Sequence, residues 1–260
     1  TWLQSAPKRI APADGAVVEA IKALRAGGKH VLFYPFVLMD QLAGNGRADP
    51  YTGAGDQAPL PGRGRITLSA APGRSGTPDR TPAAAAEVAA FFGTAQPAHF
   101  TIAGGVVNYS GPAEWSYRRF ILHYAKLCVL AGGIDAICIG SELRGLTQVR
   151  AAGDSFPTVN ALRQLAADVR AILGPVTKIT YAADWSEYAS YDDGAGNIYF
   201  HLDPLWADAN IDFVGVDNYL PLSDWRDGDR QEDAAWGSIY NIDYLKSNVA
   251  GGEYYDWYYG

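Results

Sequence analysis

The sequence is short of most special means of cross-linking, metal binding or charge concentration. Its 260 residues contain only two cysteines, Cys128 and Cys138. A disulfide framework is therefore excluded, and both read as buried free thiols, one in a helical pattern and one in an apolar strand pattern. Histidine is also scarce. His30, His99, His123 and His201 lie far apart and show no ligand spacing, so neither a metal nor a cofactor is expected. No apolar run reaches the ~18 residues that a membrane span needs, and the first ten residues hold no apolar leader core. Basic residues do not gather on any segment, and the net charge is −7, which argues against direct nucleic-acid binding by a phosphate-tracking face.

About half of the residues are hydrophobic, enough for one large core of the size of an α/β barrel. A repeated unit organises them: an amphipathic helix, a Gly-containing turn, then a β-rich apolar run ending in polar or aromatic residues. It predicts helices over Ala16–Arg25, Ala83–Phe92, Glu114–Leu130 and Val159–Leu173. Strands are predicted over His30–Met39, Phe100–Tyr109, Ile134–Gly140, Lys178–Ala183 and Ile211–Val216, parallel and with the helices outside. The run Phe100–Tyr109 reads as a strand widening into a loop. Between residues 44 and 82 the chain turns rich in Gly, Pro and Arg, which predicts a long βα-loop with at most a short strand at Arg65–Ser69. Since this loop follows a strand, it should begin on the mouth side of the sheet. The reading is an α/β chain of the (β/α)8 TIM-barrel-like class, one domain over residues 1–260. Five strands are too few for the full barrel, so the first and last strands are expected to lie outside this chain.

Active sites of parallel α/β folds collect at the C-terminal ends of the strands. Those ends read Asp40, then Asn108 and Tyr109, Ser141 and Glu142, Asp184 and Trp185, and Asp217, Asn218 and Tyr219. Carboxylates with amides and aromatic rings suit glycosidic-bond cleavage, in which one carboxyl protonates the leaving oxygen and ring faces hold the sugar. Glu142 stands out because it directly follows an apolar run, where an ionised carboxylate is costly unless paired or functional. Arg144 offers it an ordinary ion pair. Asp184 and Asp217 read equally well as caps of the turns that follow, and Trp185, Tyr219, Trp225 and Trp257 as packing residues. Glu253, in a Gly-Gly-Glu turn beside Asp256 and Trp257, suits sugar contact better than nucleophilic attack.

The stretch Ile139-Gly140-Ser141-Glu142-Leu143-Arg144-Gly145-Leu146-Thr147 resembles the TIM-barrel-like domain of the tail-tip host-specificity (hub) protein of gene transfer agents and related phages. So do Tyr34-Pro35-Phe36 with Met39-Asp40, the run Arg63 to Gly73, Glu114-Trp115-Ser116-Tyr117-Arg118-Arg119-Phe120, and Gly251-Gly252-Glu253 with Asp256-Trp257-Tyr258-Tyr259. That family in turn resembles retaining glycosidases with (β/α)8 barrels. The resemblance implies that Glu142 is the acid/base, with Ser141 standing where those enzymes usually carry Asn. It also implies that the nucleophile lies beyond Gly260. The expected partners are cell-surface glycan or peptidoglycan, other baseplate proteins and the remainder of a longer polypeptide, at the tail tip of a phage-like particle. The 260 residues alone are then expected to hydrolyse no glycan. The alternative is a non-catalytic carbohydrate-binding or structural module of the hub.

Overall fold

The computed structural model of the chain describes residues 10–219, 222–223, 225–228 and 230–251. Two compact units part between Asp217 and Asn218. The first begins with helix α1 (Ile10–Ala26) and β1 (Leu32–Phe33), then α2 (Pro82–Phe92), β2 (Phe100–Ala103), β3 (Val106–Tyr109) and α3 (Tyr117–Leu130). It continues with β4 (Ala136–Ser141), α4 (Arg144–Thr147), α5 (Pro157–Leu173), β5 (Lys178–Asp184), β6 (Tyr191–Asp192), β7 (Ile198–Tyr199), α6 (Asp203–Trp206) and β8 (Gly215–Asp217). Strands β1, β4, β5 and β8, in that order, form one sheet in which every pair is parallel. This is the parallel α/β layout that the helix–turn–strand alternation predicts.

Local chemistry sets the helix limits. Thr81 caps α2 by accepting from the Ala83 amide, and Pro82 follows at a position where a missing N–H costs nothing. Ser116 caps α3 through the Arg119 amide. This helix starts later than the predicted Glu114 because that carboxylate is spent on the Thr94 and Ala95 amides and the Ser116 hydroxyl. Ile121, Leu122 and Ala125 of α3 and Leu162, Leu165, Ala166 and Val169 of α5 are buried, with Ile137 and Ile139 of β4 and Ile179 and Tyr181 of β5, in one apolar cluster. Cys128 and Cys138 are free and buried, and burial pushes both thiols up to about 12.

Four predicted strands take another form, and of Ile211–Val216 only Gly215 and Val216 pair in the sheet, together with Asp217. Only Leu32–Phe33 of the run His30–Met39 pairs in the sheet, because Pro35 has no N–H for a ladder. Phe100–Tyr109 is an antiparallel hairpin of β2 with β3. Gly104 and Gly105 both take positive φ at its tip, the backbone that a tight two-residue turn demands. Arg65–Ser69 pairs with nothing in a sheet. Arg63–Arg65 is a 3-10 turn, and Ile66 and Leu68 reach the core from irregular backbone. In the second unit, Glu232–Trp236 forms a 3-10 turn and Ile242–Gly251 forms helix α7. There Tyr244 packs against Trp225 and Trp236, with ring centroids 5.8 and 5.7 Å away, and donates to Asp233 at 2.7 Å.

Candidate functional site

The pairing of β4 with β5 slips by one residue between Cys138 and Ser141. Such a bulge re-aims the side chains that follow it. Gly140 sits in it, where a Cβ would lie 2.8 Å from the Tyr117 hydroxyl and 3.1 Å from the Tyr181 ring. Glu142 comes next with φ +48°, a left-handed conformation that costs a non-glycine residue on the order of 1 kcal/mol. Two backbone bonds hold it there. The Glu142 amide donates to the Ala182 carbonyl at 2.9 Å, and the Leu143 amide donates to the Tyr181 hydroxyl at 2.7 Å.

The 3-10 turn at Arg63–Arg65 brings a guanidinium to the same place. A Cβ on Gly145, at the start of α4, would meet the Gly64 and Ile66 carbonyls at 2.6 and 2.8 Å, so this loop lies against the end of β4. Arg63 reaches Glu142 Oε2 at 3.1 Å and Asp217 Oδ2 at 3.7 Å. Its Nε and Nη2 donate to the Ser141 hydroxyl at 3.0 and 2.7 Å, and it lies 4.7 Å from the centre of the Phe36 ring. The ion pair of Glu142 is thus with Arg63, not with the neighbouring Arg144.

Asp217 ends β8 and faces Asp184 of β5 in register. Its Oδ2 accepts from the Tyr34 hydroxyl and, at 2.9 Å, from the Ser141 hydroxyl. Burial and the Asp217 carboxylate drive the Tyr34 phenol upward, so it stays a donor. Glu142 is held above the ordinary carboxylate value. Burial is the main cause, the Arg63 guanidinium opposes it, and the Asp217 carboxyl in hydrogen-bonding contact and the Asp184 charge add to it. Glu142 Oε1 is buried and has no hydrogen-bond partner among the described residues. A carboxyl with raised proton affinity thus stands beside one supplied with hydrogen-bond donors, an arrangement that carboxyl pairs use for proton transfer.

Of the other predicted positions, Asp184 serves as a turn cap, accepting from the Ser186 amide at 2.8 Å and from its hydroxyl. Trp185 is 38% exposed, and its amide donates to the Asp217 carbonyl. Asn108 and Tyr109 belong to the β2–β3 hairpin outside the parallel sheet. The Tyr109 ring stacks under Arg119 at 4.2 Å and its hydroxyl binds the Pro112 carbonyl, so the expectation that they share the rim is corrected. Asp40 is exposed well past β1, and Tyr34, directly after the strand, takes the place expected of it. Asn218 and Tyr219 are exposed residues of the second unit, and Glu253 and Trp257 lie outside the described residues.

The sequence reading did not single out Tyr34, Arg63 or Glu187 as site residues. Tyr34 is legible once β1 is shortened at Pro35. For Arg63 the only signal is its place between two glycines. Glu187 has no local signal, since its burial is made by Tyr181 and by Thr147 on α4.

No group of acidic, His or Cys residues among the described ones is arranged to hold a metal ion. No described helix is long and apolar enough to cross a membrane. The family model of the GTA TIM-barrel-like domain matches residues 115–260, more than half of the 260 residues. Nothing among curated proteins matches the chain.

Proposed function

The chain belongs to the GTA TIM-barrel-like domain family, and from that premise we propose that it is a glycoside-hydrolase-like barrel at the tail tip of a gene transfer agent particle. It acts there on cell-envelope polysaccharide or peptidoglycan during DNA delivery. Its other partners are baseplate proteins and the remainder of a longer polypeptide. The observation that carries the reading is the carboxyl pair at the strand ends, Glu142 with its proton affinity raised and Asp217 fed by Tyr34 and Ser141.

In this mechanism Glu142 gives its proton to the glycosidic oxygen as the C–O bond breaks. Asp217 faces the positive charge that builds on the sugar ring. Water captures that ring and returns a proton to Glu142. The two carboxyls touch, closer than the ~5 Å of a pair that flanks a sugar in the retaining route, so charge support suits Asp217 better than nucleophilic attack. Entry of a sugar between them also requires Arg63 to give way. Trp185, exposed beside the pair, supplies a ring face to the sugar.

One observation favours a second reading, a carbohydrate-binding module without turnover: Arg63 is ion-paired to both carboxyls. Reducing-end release and binding, measured on purified peptidoglycan and capsular polysaccharide, separate the two. The proteins compared are the chain, a longer polypeptide carrying it, and each with Glu142→Gln. Release by the longer polypeptide that the substitution abolishes, with binding kept, supports hydrolysis. Binding without release in every protein supports the module, and no binding at all rejects both readings.

A further inference from the structure

We infer that Glu187, acting through Tyr181, is a positioning residue that holds Glu142 in its left-handed turn. The inference rests on the reading of Glu142 as the proton donor and deepens it. Glu187 is fully buried, and no lysine or arginine among the described residues ion-pairs with it. A carboxyl in such a place is costly unless its hydrogen bonds are complete and useful. They are complete: Oε1 accepts from the Tyr181 hydroxyl at 2.7 Å and Oε2 from the Thr147 hydroxyl at 3.1 Å.

The direction of these bonds matters. The Tyr181 hydroxyl has one proton. Giving it to Glu187 leaves its lone pair for the Leu143 amide at 2.7 Å. The peptide on the C-terminal side of Glu142 is thus tied to Glu187 by two bonds in series. Without the carboxyl as acceptor, the phenol is free to rotate and the Leu143 amide loses its fixed partner. Thr147 ties the same carboxyl to α4, three residues past Arg144. The Glu187 amide is bound to the Asp184 carbonyl at 2.8 Å, which anchors the residue to the end of β5. The strained turn at the end of β4 is therefore clamped to the end of β5. Burial also pushes Glu187 up to about 7, with the Tyr181 and Thr147 hydroxyls opposing and the Asp184 charge adding.

The test reads Glu142 directly and needs no glycan. Amide exchange at Leu143 and the carboxyl titration of Glu142 are followed by NMR on the full chain, in the wild type and in Tyr181→Phe, Glu187→Leu and Glu187→Gln. Tyr181→Phe keeps the ring that packs against Gly140 and removes only the link. We expect Leu143 to exchange about tenfold faster in the Phe and Leu variants, the loss of one buried hydrogen bond, and the Glu142 midpoint to fall as the turn loosens and water reaches it. Glu187→Gln should restore both, because its amide oxygen still accepts from Tyr181. If Tyr181→Phe melts lower but leaves the Leu143 and Glu142 signals unchanged, the role is structural only and the inference is overturned. Should Glu187→Leu fail to fold, Tyr181→Phe decides the matter alone. A chain that passes this test but neither binds nor cleaves glycan refutes the proposed function and leaves the positioning role intact.

Discussion

Arg63 and Arg150 each lie over an aromatic ring and each reach more than one carboxylate, yet the acids around them end in different states. Arg150 is almost fully buried, within 3.5 Å of Asp193 and 3.8 Å of Asp79 and Asp154, and 5.0 Å from the centre of the Tyr199 ring. Asp193 also accepts from the Ala195 and Asn197 amides and the Asn197 side chain, and these bonds, with Arg150, bring it down to about 2. Asp79 accepts from the Arg150 amide at 2.7 Å. Around Arg63, by contrast, Glu142 keeps an unpartnered buried oxygen, a raised proton affinity and a positive φ. Asp79 and Asp193 have their hydrogen bonds met and form a brace, although Arg150 Nε is itself buried without a partner among the described residues and Asp154 also takes a positive φ. A carboxyl left partly unsatisfied at a strand end forms a place where a ligand has something to gain.

The largest expected effect concerns that contrast. Replacing Arg150 by Met leaves Asp79 buried without its cation and should cost about 3–5 kcal/mol in urea unfolding. Arg63→Met should cost only about 1 kcal/mol, since its carboxyls border the surface. Equal losses would erase the distinction between brace and site.

Next comes the pH dependence. Glu187 rises to about 7 from an ordinary 4.5, so the folded chain binds its proton more tightly than the unfolded chain does. Its contribution is full below pH 4.5 and is lost as pH rises to 7, ~3 kcal/mol in all. His201, buried against Phe156 and Tyr191, is pulled down to about 4 from 6.5 by burial. Its contribution is lost in the other direction, as pH falls from 6.5 through 4. The two slopes oppose each other, so wild-type stability should be nearly flat across their shared window. Glu187→Gln should leave stability rising with pH there, and a slope unchanged by that substitution would contradict the buried carboxyl.

Smaller effects sharpen the account of Glu142 itself. Glu142→Gly should raise stability by about 1 kcal/mol, because glycine takes the left-handed turn freely and the buried carboxyl is removed. A loss of stability would mean that the turn is supported by the side chain rather than strained. In Arg63→Met the Glu142 midpoint should move further up, as the one neighbour that lowers it is gone, and carboxyl NMR reads the shift.

Much of the parallel framework was legible in the sequence. Buried-type runs such as Ile134–Gly140 and Lys178–Ala183, each after an amphipathic helix and a Gly turn, leave few alternatives, and they place Glu142 and Asp184 at neighbouring strand ends. The hairpin at Phe100–Tyr109 was missed, although Gly104-Gly105 between apolar runs carries the turn chemistry for it. Arg63 was illegible as a site residue for a different reason. Its approach depends on long-range packing, the Gly145 contact with Gly64 and Ile66, which no local pattern encodes. The same holds for Glu187, whose burial is made by residues of β5 and α4.

The central claim is that the strand-end cluster, not the buried brace, is where this chain meets sugar. Backbone amide shifts during titration with peptidoglycan fragments and capsular oligosaccharides test it most directly. Saturable shifts are expected at Ser141, Glu142 and Trp185, retained in Glu142→Gln, with Arg150 and Asp193 unmoved. Shifts confined to other surfaces, or none at saturating glycan, would contradict it.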